Sequence, residues 1–308
     1  MADERAPWRS HPKDARFSEW TAPDGARLRR MEWPAAAGSR KRGRLLFAGG
    51  RGDFIEKYLE AYAHWRGEGW DVTAFDWRGQ GRSRGSIVGG NLESFDVLID
   101  DLDALIGEVR PRVAIGHSMG GHMLLRTLVE RRPALDAAVL VAPMIGVNSG
   151  PVPSWLAPTF ADTMCRLGYS AQPMFRTPRV LSRPGSQRQH FLTGRSRARY
   201  EDELFWWREE PGFNLGAPSW GWLRAAFRSA AAAFTPERLA TVDLPVLVLG
   251  TERDRLVSPS AIRRVARLLP RAELLMFPRA AHELLREADP VRREALARID
   301  AFLAGHAG

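Results

Sequence analysis

A serine set between glycines carries the sequence pattern with the clearest chemistry. It lies in GHSMGG (116–121), which follows an apolar run and opens a helical pattern. In this context G-x-S-x-G is typical of a nucleophile on a tight turn between a strand and a helix, and the glycines let the two elements approach. We therefore predict that Ser118 is a nucleophile and that the amide of Met119, at the helix N-terminus, is an oxyanion donor.

A serine hydroxyl is a weak nucleophile and needs a base that is oriented by a carboxylate. Both partners follow in the chain order Ser, Asp, His, with Asp254 in the loop after one apolar run and His282 after the next. Each lies at the carboxyl end of a predicted strand, the edge where open α/β sheets place their sites. We predict that Asp254 and His282 complete a triad with Ser118, and Glu252 is the alternative carboxylate.

Four other histidines are better explained by packing or local hydrogen bonds: His64, His117, His122 and His190. The pair His282-Glu283 begins like the zinc motif H-E-x-x-H, but the second histidine would fall at Arg286. The residues therefore predict neither a metal nor an organic cofactor.

The second oxyanion donor is expected from the glycine-rich loop GGRGD (49–53), which ends an apolar run. Such a loop lets backbone amides point into a site, and we predict the N–H of Arg51 or its neighbour as the donor. A plain strand-to-helix turn is the alternative. The loop does not favour a dinucleotide site, because Ile55 occupies the position of the last glycine in G-x-G-x-x-G.

Short apolar runs alternate with helical patterns along most of the chain. Near-continuous apolar runs bounded by Gly and Pro are typical of strands buried on both faces. We predict a mostly parallel sheet with helices on both faces, and an antiparallel strand at 28–33 near the N-terminal edge. The other predicted strands are at 44–50, 72–77, 113–118, 137–143, 245–251 and 273–278, and the helices at 55–66, 95–106, 119–131, 260–269 and 290–303.

The alternation stops between 144 and 238, a segment rich in Pro, Trp, Phe and Arg that we call the insertion. We predict three parts: a first core segment at 1–143, the insertion at 144–238 as a small helical lid, and a second core segment at 239–308. Most aromatic residues of the insertion are expected to fill its own core, and a few to contact substrate.

Several segments together resemble the α/β-hydrolase superfamily, and within it the lysophospholipase and monoacylglycerol lipase-like branch of serine hydrolases. They are GHSMGG (116–121), FDWRGQGRS (75–83), FDVLIDDLDAL (95–105), the Asp254 loop and HELLRE (282–287). The resemblance covers about 44–303 outside the insertion, and implies that the insertion is a helical cap over an acyl-binding tunnel. One departure is Gly49, which stands where the family's oxyanion loop usually has histidine.

Composition narrows the choice of partners. The chain has 308 residues with 44% hydrophobic and 26% charged residues, as in a folded protein. Its net charge of +9 comes from arginines spread along the chain without a nucleic-acid-binding motif, so no nucleic-acid partner is expected. A lone Cys165, no apolar signal segment and no apolar run of membrane-spanning length predict a cytoplasmic location. Four insertion arginines would pair with lipid phosphate at an anionic membrane surface: Arg176, Arg179, Arg183 and Arg188.

These observations predict a serine ester hydrolase that forms an acyl-enzyme on Ser118 and hydrolyses it with water activated by His282. The resemblance implies lipid monoesters as substrates, either lysophospholipids or monoacylglycerols. An acyltransferase or a peptidase with the same triad is the alternative, because only the acceptor or the leaving group differs. The alternative that is not an enzyme is a non-catalytic lipid-binding protein of this fold.

Overall fold

The computed structural model describes residues 5–307, except 86, 88–89, 149–151, 154 and 176–182. Within these residues eight strands form one sheet. The strands are β1 (Arg16–Thr21), β2 (Arg27–Trp33), β3 (Gly43–Ala48), β4 (Trp70–Phe75), β5 (Val113–His117), β6 (Ala137–Val141), β7 (Val246–Thr251) and β8 (Ala272–Phe277). All six apolar runs predicted as strands are therefore strands, with bounds that differ by a few residues.

The sheet has the strand order β1-β2-β4-β3-β5-β6-β7-β8. Neighbours from β4 to β8 are parallel, whereas β1 and β2 run antiparallel at one edge. The antiparallel strand expected at 28–33 is thus β2. The prediction omitted β1, which forms the edge beyond β2. Of its six residues only Trp20 is buried, so β1 lacks the continuous apolar run that marks the inner strands.

Helices cover both faces of the sheet. Those of the core are α1 (Leu59–Gly67), α2 (Asp96–Val109), α3 (Met119–Glu130), α9 (Pro259–Leu268) and α10 (Asp289–Ala307), and a 3-10 turn at Ile55–Tyr58 precedes α1. Alternate strand residues face opposite sides: on β3, Leu46 packs in the cluster with α2, α3 and α9, and Phe47 in the cluster with α1 and α10. The predicted fold class, a mostly parallel α/β sheet of the α/β-hydrolase type, is confirmed.

The insertion contributes the helices between β6 and β7. They are α4 (Ala157–Met164), α5 (Gln187–Leu192), α6 (Arg197–Glu209), α7 (Trp220–Ala233) and α8 (Pro236–Leu239), with a π-helical turn at Cys165–Tyr169 after α4. Ser186, Ser219 and Thr235 cap α5, α7 and α8, because each side chain accepts a backbone N–H of the first turn. Of the described helices, none is both long and apolar enough to cross a membrane.

Candidate active site

Ser118 stands alone between β5, which ends at His117, and α3, which begins at Met119. Its backbone has φ 51° and ψ −113°, a conformation that residues other than glycine rarely adopt. Strain of this kind persists only where the surrounding structure enforces it, and it is typical of a nucleophile on a strand-to-helix turn. The side chain is thereby held out at the carboxyl edge of the sheet.

The glycines around Ser118 are required by close backbone contacts. A Cβ on Gly116 would lie 2.6 Å from the carbonyl oxygen of Gly120, and one on Gly120 would overlap the carbonyl oxygen of Ala48 at the end of β3. Both distances are shorter than real Cβ contacts, and the obstacles are backbone atoms that have little freedom to move. The glycines of G-x-S-x-G therefore let β5 and α3 approach each other closely, as the pattern predicts.

The structure brings the three predicted triad residues together. His282 Nε2 lies 2.9 Å from Ser118 Oγ, and His282 Nδ1 lies 2.7 Å from Asp254 Oδ2. Because a carboxylate only accepts hydrogen bonds, the pairing with Asp254 places the proton on Nδ1 and leaves Nε2 to accept from the serine hydroxyl. Asp254 and His282 are both buried, whereas Ser118 is partly exposed.

Backbone amides fix the Asp254 carboxylate on its loop. Its Oδ1 accepts the N–H groups of Leu256 and Val257 at 2.8 and 3.0 Å, so Oδ2 remains for His282. Burial favours the neutral acid, but His282 and these amides outweigh it and lower the pKa of Asp254. Burial likewise disfavours the imidazolium of His282, yet the nearby Asp254 carboxylate raises its pKa above the ordinary 6.5. The pair thus stabilises a positive charge on His282.

The competing candidates are bonded to groups outside the Ser118–His282–Asp254 chain. Glu252 pairs with Arg263, so Asp254 and not Glu252 contacts His282. His122 bonds the carbonyl oxygen of Met144 and the hydroxyl of Ser229, and burial lowers its pKa to about 4. The other three histidines are His64, which pairs with Asp300; His190, which is exposed; and His117, which contacts Asp53 and Tyr58.

The loop that follows β3 is anchored on both sides of Arg51. The Gly50 N–H donates to Asp53 Oδ2 and the Gly52 N–H donates to Gln80 Oε1, both at 2.5 Å. The indole N–H of Trp77 donates to the carbonyl oxygen of Gly49 at 2.7 Å. Trp77 and Gln80 belong to FDWRGQGRS, so this segment shapes the loop. Arg51 and Met119, the first residue of α3, remain the predicted oxyanion donors.

Asp53 provides an anchor where Gly49 offers no side chain. Its carboxylate binds the Gly50 amide, and the same Oδ2 atom lies 3.0 Å from His117 Nδ1. Burial favours the neutral acid, but Lys57 and His117 outweigh it and hold the pKa of Asp53 well below its usual range. The buried carboxylate of Asp53, the last residue of the loop, therefore holds the loop in place.

Asp53 is part of a buried charge cluster that the sequence reading missed. The cluster contains three carboxylates and three cations: Asp53, Glu203 and Glu283 with Lys57, Arg188 and Arg286. Lys57 Nζ lies 2.7 Å from both Asp53 Oδ1 and Glu283 Oε1. Glu203, on α6 of the insertion, lies 2.6 Å from Arg188 Nη2 and 3.1 Å from Arg286 Nη1. The cluster links the oxyanion loop, the residue after His282 and the insertion.

A cavity of about 320 Å³ opens above Ser118 and His282. Apolar side chains form much of its wall, and the insertion supplies several of them, including Met174, Leu192 and Trp222. A pocket of this size with a few convergent polar groups suits a small or partly inserted ligand. The arrangement can bind an acyl group beside an activated hydroxyl.

Comparison with known proteins places the chain in a family. The family described as "Serine aminopeptidase, S33" matches residues 39–289. The chain is 26% identical over 271 residues to the probable lysophospholipase L2 of Haemophilus influenzae, covering 84% of this chain and 83% of that protein. It is 28% identical over 277 residues to lysophospholipase L2 of Escherichia coli K12, covering 83% and 79%.

A solved structure shares the fold. A soluble variant of monoglyceride lipase from Saccharomyces cerevisiae matches with a TM-score of 0.73 at 18% identity, over 97% of this chain and 98% of that one. The resemblance drawn from GHSMGG, FDWRGQGRS and HELLRE is thus confirmed. The chain belongs to the serine aminopeptidase S33 family of α/β hydrolases.

Proposed function

We propose that this protein is a serine hydrolase that cleaves carboxylic esters through an acyl-enzyme on Ser118. The observation that carries the proposal is the continuous hydrogen-bonded chain from Ser118 Oγ through His282 to Asp254, at the floor of an open cavity. A nucleophile in contact with a base that a carboxylate orients is the arrangement that acyl transfer requires.

The reaction proceeds in two halves. His282 Nε2 takes the hydroxyl proton as Ser118 Oγ attacks the ester carbonyl carbon, and the amides of Met119 and Arg51 stabilise the resulting oxyanion. His282 then protonates the leaving alcohol as its C–O bond breaks, which leaves the acyl group on Ser118. Water repeats the sequence with His282 as base, so that the carboxylic acid leaves and the serine hydroxyl is restored.

Lipid monoesters, either lysophospholipids or monoacylglycerols, are the proposed substrates. The apolar walls of the cavity suit an acyl chain, and the insertion at 144–238 acts as a cap because its side chains form part of those walls. The names of the relatives, lysophospholipase L2 and monoacylglycerol lipase, support the same substrate class.

Peptide cleavage is less well supported than ester cleavage. An aminopeptidase must bind the ammonium group of its substrate, a task for an unpaired carboxylate near the nucleophile. Asp53 and Glu283, the two acidic residues among the described lining of the cavity, are both bonded to Lys57. Their charge is therefore already compensated, and a cationic substrate end gains little there.

A peripheral contact with anionic membrane remains part of the proposal, in a narrower form. Arg183 is exposed and suits such a contact, and Arg176 and Arg179 lie outside the described residues. Arg188 is less suited to a membrane contact, because its guanidinium pairs with Glu203. A local sequence pattern does not reveal that an arginine has a buried carboxylate 15 positions away as its partner.

Hydrolysis assays with an acyl-length series test the proposal. We expect kcat/KM for p-nitrophenyl esters to rise roughly threefold per added methylene until the pocket is filled. Lauroyl lysophosphatidylcholine and monolauroylglycerol should also be cleaved, and Ser118→Ala should lower kcat by about 10⁴-fold or more. Activity retained in Ser118→Ala would contradict the proposed mechanism. Activity that does not change with acyl length would contradict lipid monoesters as substrates.

A further inference from the structure

A second cavity, of about 420 Å³, adjoins the catalytic one. We call it the outer cavity. The two share part of their walls, including three arginines: Arg51, Arg188 and Arg255. Of the described residues that line the outer cavity, none is acidic, and these arginines are its charged members. The charged side chains among the described lining of the outer cavity are therefore all positive.

Arg255 lies one residue after Asp254 and is exposed. In the described part of the chain its guanidinium has neither an ion pair nor a hydrogen-bond partner, although it lines both cavities. An arginine presents five N–H donors in a planar fork that matches phosphate. Arg255 is therefore a cation available to a ligand beside the triad.

Arg51 and Arg188 are held in place by the protein. The Arg51 guanidinium donates to the carbonyl oxygens of Gly216 and Ala217 at 2.8 and 3.0 Å, and burial lowers its pKa to about 10, so it remains charged at neutral pH. Arg188 stacks over the Trp207 ring at 4.6 Å and pairs with Glu203 through Nη2. Its Nη1 atom is buried and finds no hydrogen-bond partner among the described residues.

The buried charge cluster and the outer cavity differ in the ratio of acidic to basic side chains. In the buried charge cluster three carboxylates match three cations, so Arg188 is compensated there. The outer cavity adds Arg255, which has no ion pair among the described residues, and none of the described lining residues is acidic. A ligand that brings its own negative charge would complete the balance and satisfy the open donor of Arg188.

From this arrangement we propose that the outer cavity is a subsite for the phosphate of a lysophospholipid head group, contacted by Arg51, Arg188 and Arg255. The inference rests on the proposed ester hydrolysis at Ser118 and deepens it. It makes a phosphate-bearing monoester the preferred substrate over a neutral monoacylglycerol, with Arg255 as the main specificity-determining side chain.

The test uses two substrates that differ only in the phosphate, 1-lauroyl lysophosphatidic acid and 1-lauroylglycerol, both below their critical micelle concentrations. We expect wild type to prefer the phosphate-bearing ester. In Arg255→Gln the ratio of kcat/KM for the two esters should fall about tenfold, mainly through KM. Arg255→Lys should recover part of the preference, because the charge remains without the planar fork.

Arg253→Gln is the matched control, because Arg253 is an exposed arginine of the same loop that lines neither cavity. Its ratio should stay within about twofold of wild type. Equal kcat/KM for the two esters in wild type, or an equal change of the ratio in Arg253→Gln and Arg255→Gln, would overturn the subsite.

Binding without turnover separates the subsite from the proposed reaction. Calorimetry with Ser118→Ala compares dodecyl phosphate with 1-O-dodecylglycerol, neither of which contains a carboxylic ester bond. Tighter binding of dodecyl phosphate that is lost in Ser118→Ala/Arg255→Gln supports the subsite even if no ester is hydrolysed. Equal binding of the two compounds overturns it even if p-nitrophenyl butyrate is hydrolysed, which would leave the proposed function standing.

Discussion

The two sides of the catalytic cavity differ in how their charged side chains are paired. Beside Ser118, Lys57 is bonded to the carboxylates of Asp53 and Glu283, and all three side chains are buried. On the side of the outer cavity, arginines line the wall and no described lining residue is acidic. Buried charges that are fully paired hold one geometry, whereas cations facing a cavity are available to a ligand.

We therefore expect the buried charge cluster to support catalysis of every ester, and the arginines of the outer cavity to determine which ester is preferred. Substitutions in the buried charge cluster should lower stability, or activity toward all esters alike, because they disturb the groups that every substrate needs. Substitutions at Arg255 should change the ratio between esters. A change in the buried charge cluster that alters the ratio, or one at Arg255 that lowers all activities equally, would contradict this division of roles.

The largest effect is expected from Asp254→Asn. The amide no longer stabilises the imidazolium and favours the wrong tautomer of His282, so kcat should fall about 10⁴-fold for neutral and anionic esters alike. Steady-state kinetics on both lauroyl esters measures this. Glu252→Gln is the control and should keep near wild-type activity, since Glu252 pairs with Arg263 instead. Comparable losses in the two variants would argue against Asp254 as the orienting carboxylate.

Lys57→Met tests the buried charge cluster through stability. Removing the ammonium leaves Asp53 and Glu283 without their shared partner, so the free energy of unfolding should fall by about 3–5 kcal/mol. Urea denaturation followed by circular dichroism measures it. Lys13→Met, at an exposed position, should shift it by less than about 0.5 kcal/mol. An unchanged unfolding midpoint in Lys57→Met would mean that the cluster does not stabilise the fold.

Gly50→Ala tests the oxyanion loop. The added methyl would lie 3.0 Å from Ser118 Cβ and 3.1 Å from His117 Nδ1, so the loop must shift. We expect kcat to fall roughly tenfold to a hundredfold with the ester ratio preserved. Gly67→Ala, where a methyl meets nothing within 4 Å, is the control and should leave kcat close to wild type. A loss confined to KM would contradict the assignment of this loop to the oxyanion.

The pH dependence of kcat/KM should show the charge around His282. Only neutral His282 acts as base, and its pKa is raised above 6.5 because Asp254 outweighs the effect of burial. Activity should therefore rise with pH through a pKa above 6.5. The stability gained from charged His282 should be complete below pH 6.5 and be lost as pH rises through the raised pKa. A limb at or below 6.5 would contradict this electrostatic account.

The sequence predicted the parts of the site that depend on local order. Ser118, Asp254 and His282 each follow an apolar strand, so the carboxyl edge of a parallel sheet brings them together. Their catalytic roles stay predictions until they are measured. The edge strand β1 could not be recognised in the same way, because only one of its six residues, Trp20, is buried and its sequence is mostly polar.

The buried charge cluster could not be predicted because its pairs join distant parts of the chain. Lys57 and Glu283 are 226 positions apart, and Arg286 and Glu203 are 83 apart. The one local signal is Lys57 itself, one of only three lysines in a chain whose basic residues are otherwise arginine. The pairing of Arg188 with Glu203 was missed for the same reason, since Glu203 lies on another helix.

Covalent labelling is the sharpest test of Ser118 as the activated nucleophile. Wild-type protein is treated with a fluorophosphonate probe, and the modified peptide is sequenced by mass spectrometry. We expect one adduct per chain on Ser118, strongly slowed labelling in His282→Ala and none in Ser118→Ala. An adduct on another residue, or labelling of Ser118→Ala at the wild-type rate, would contradict it.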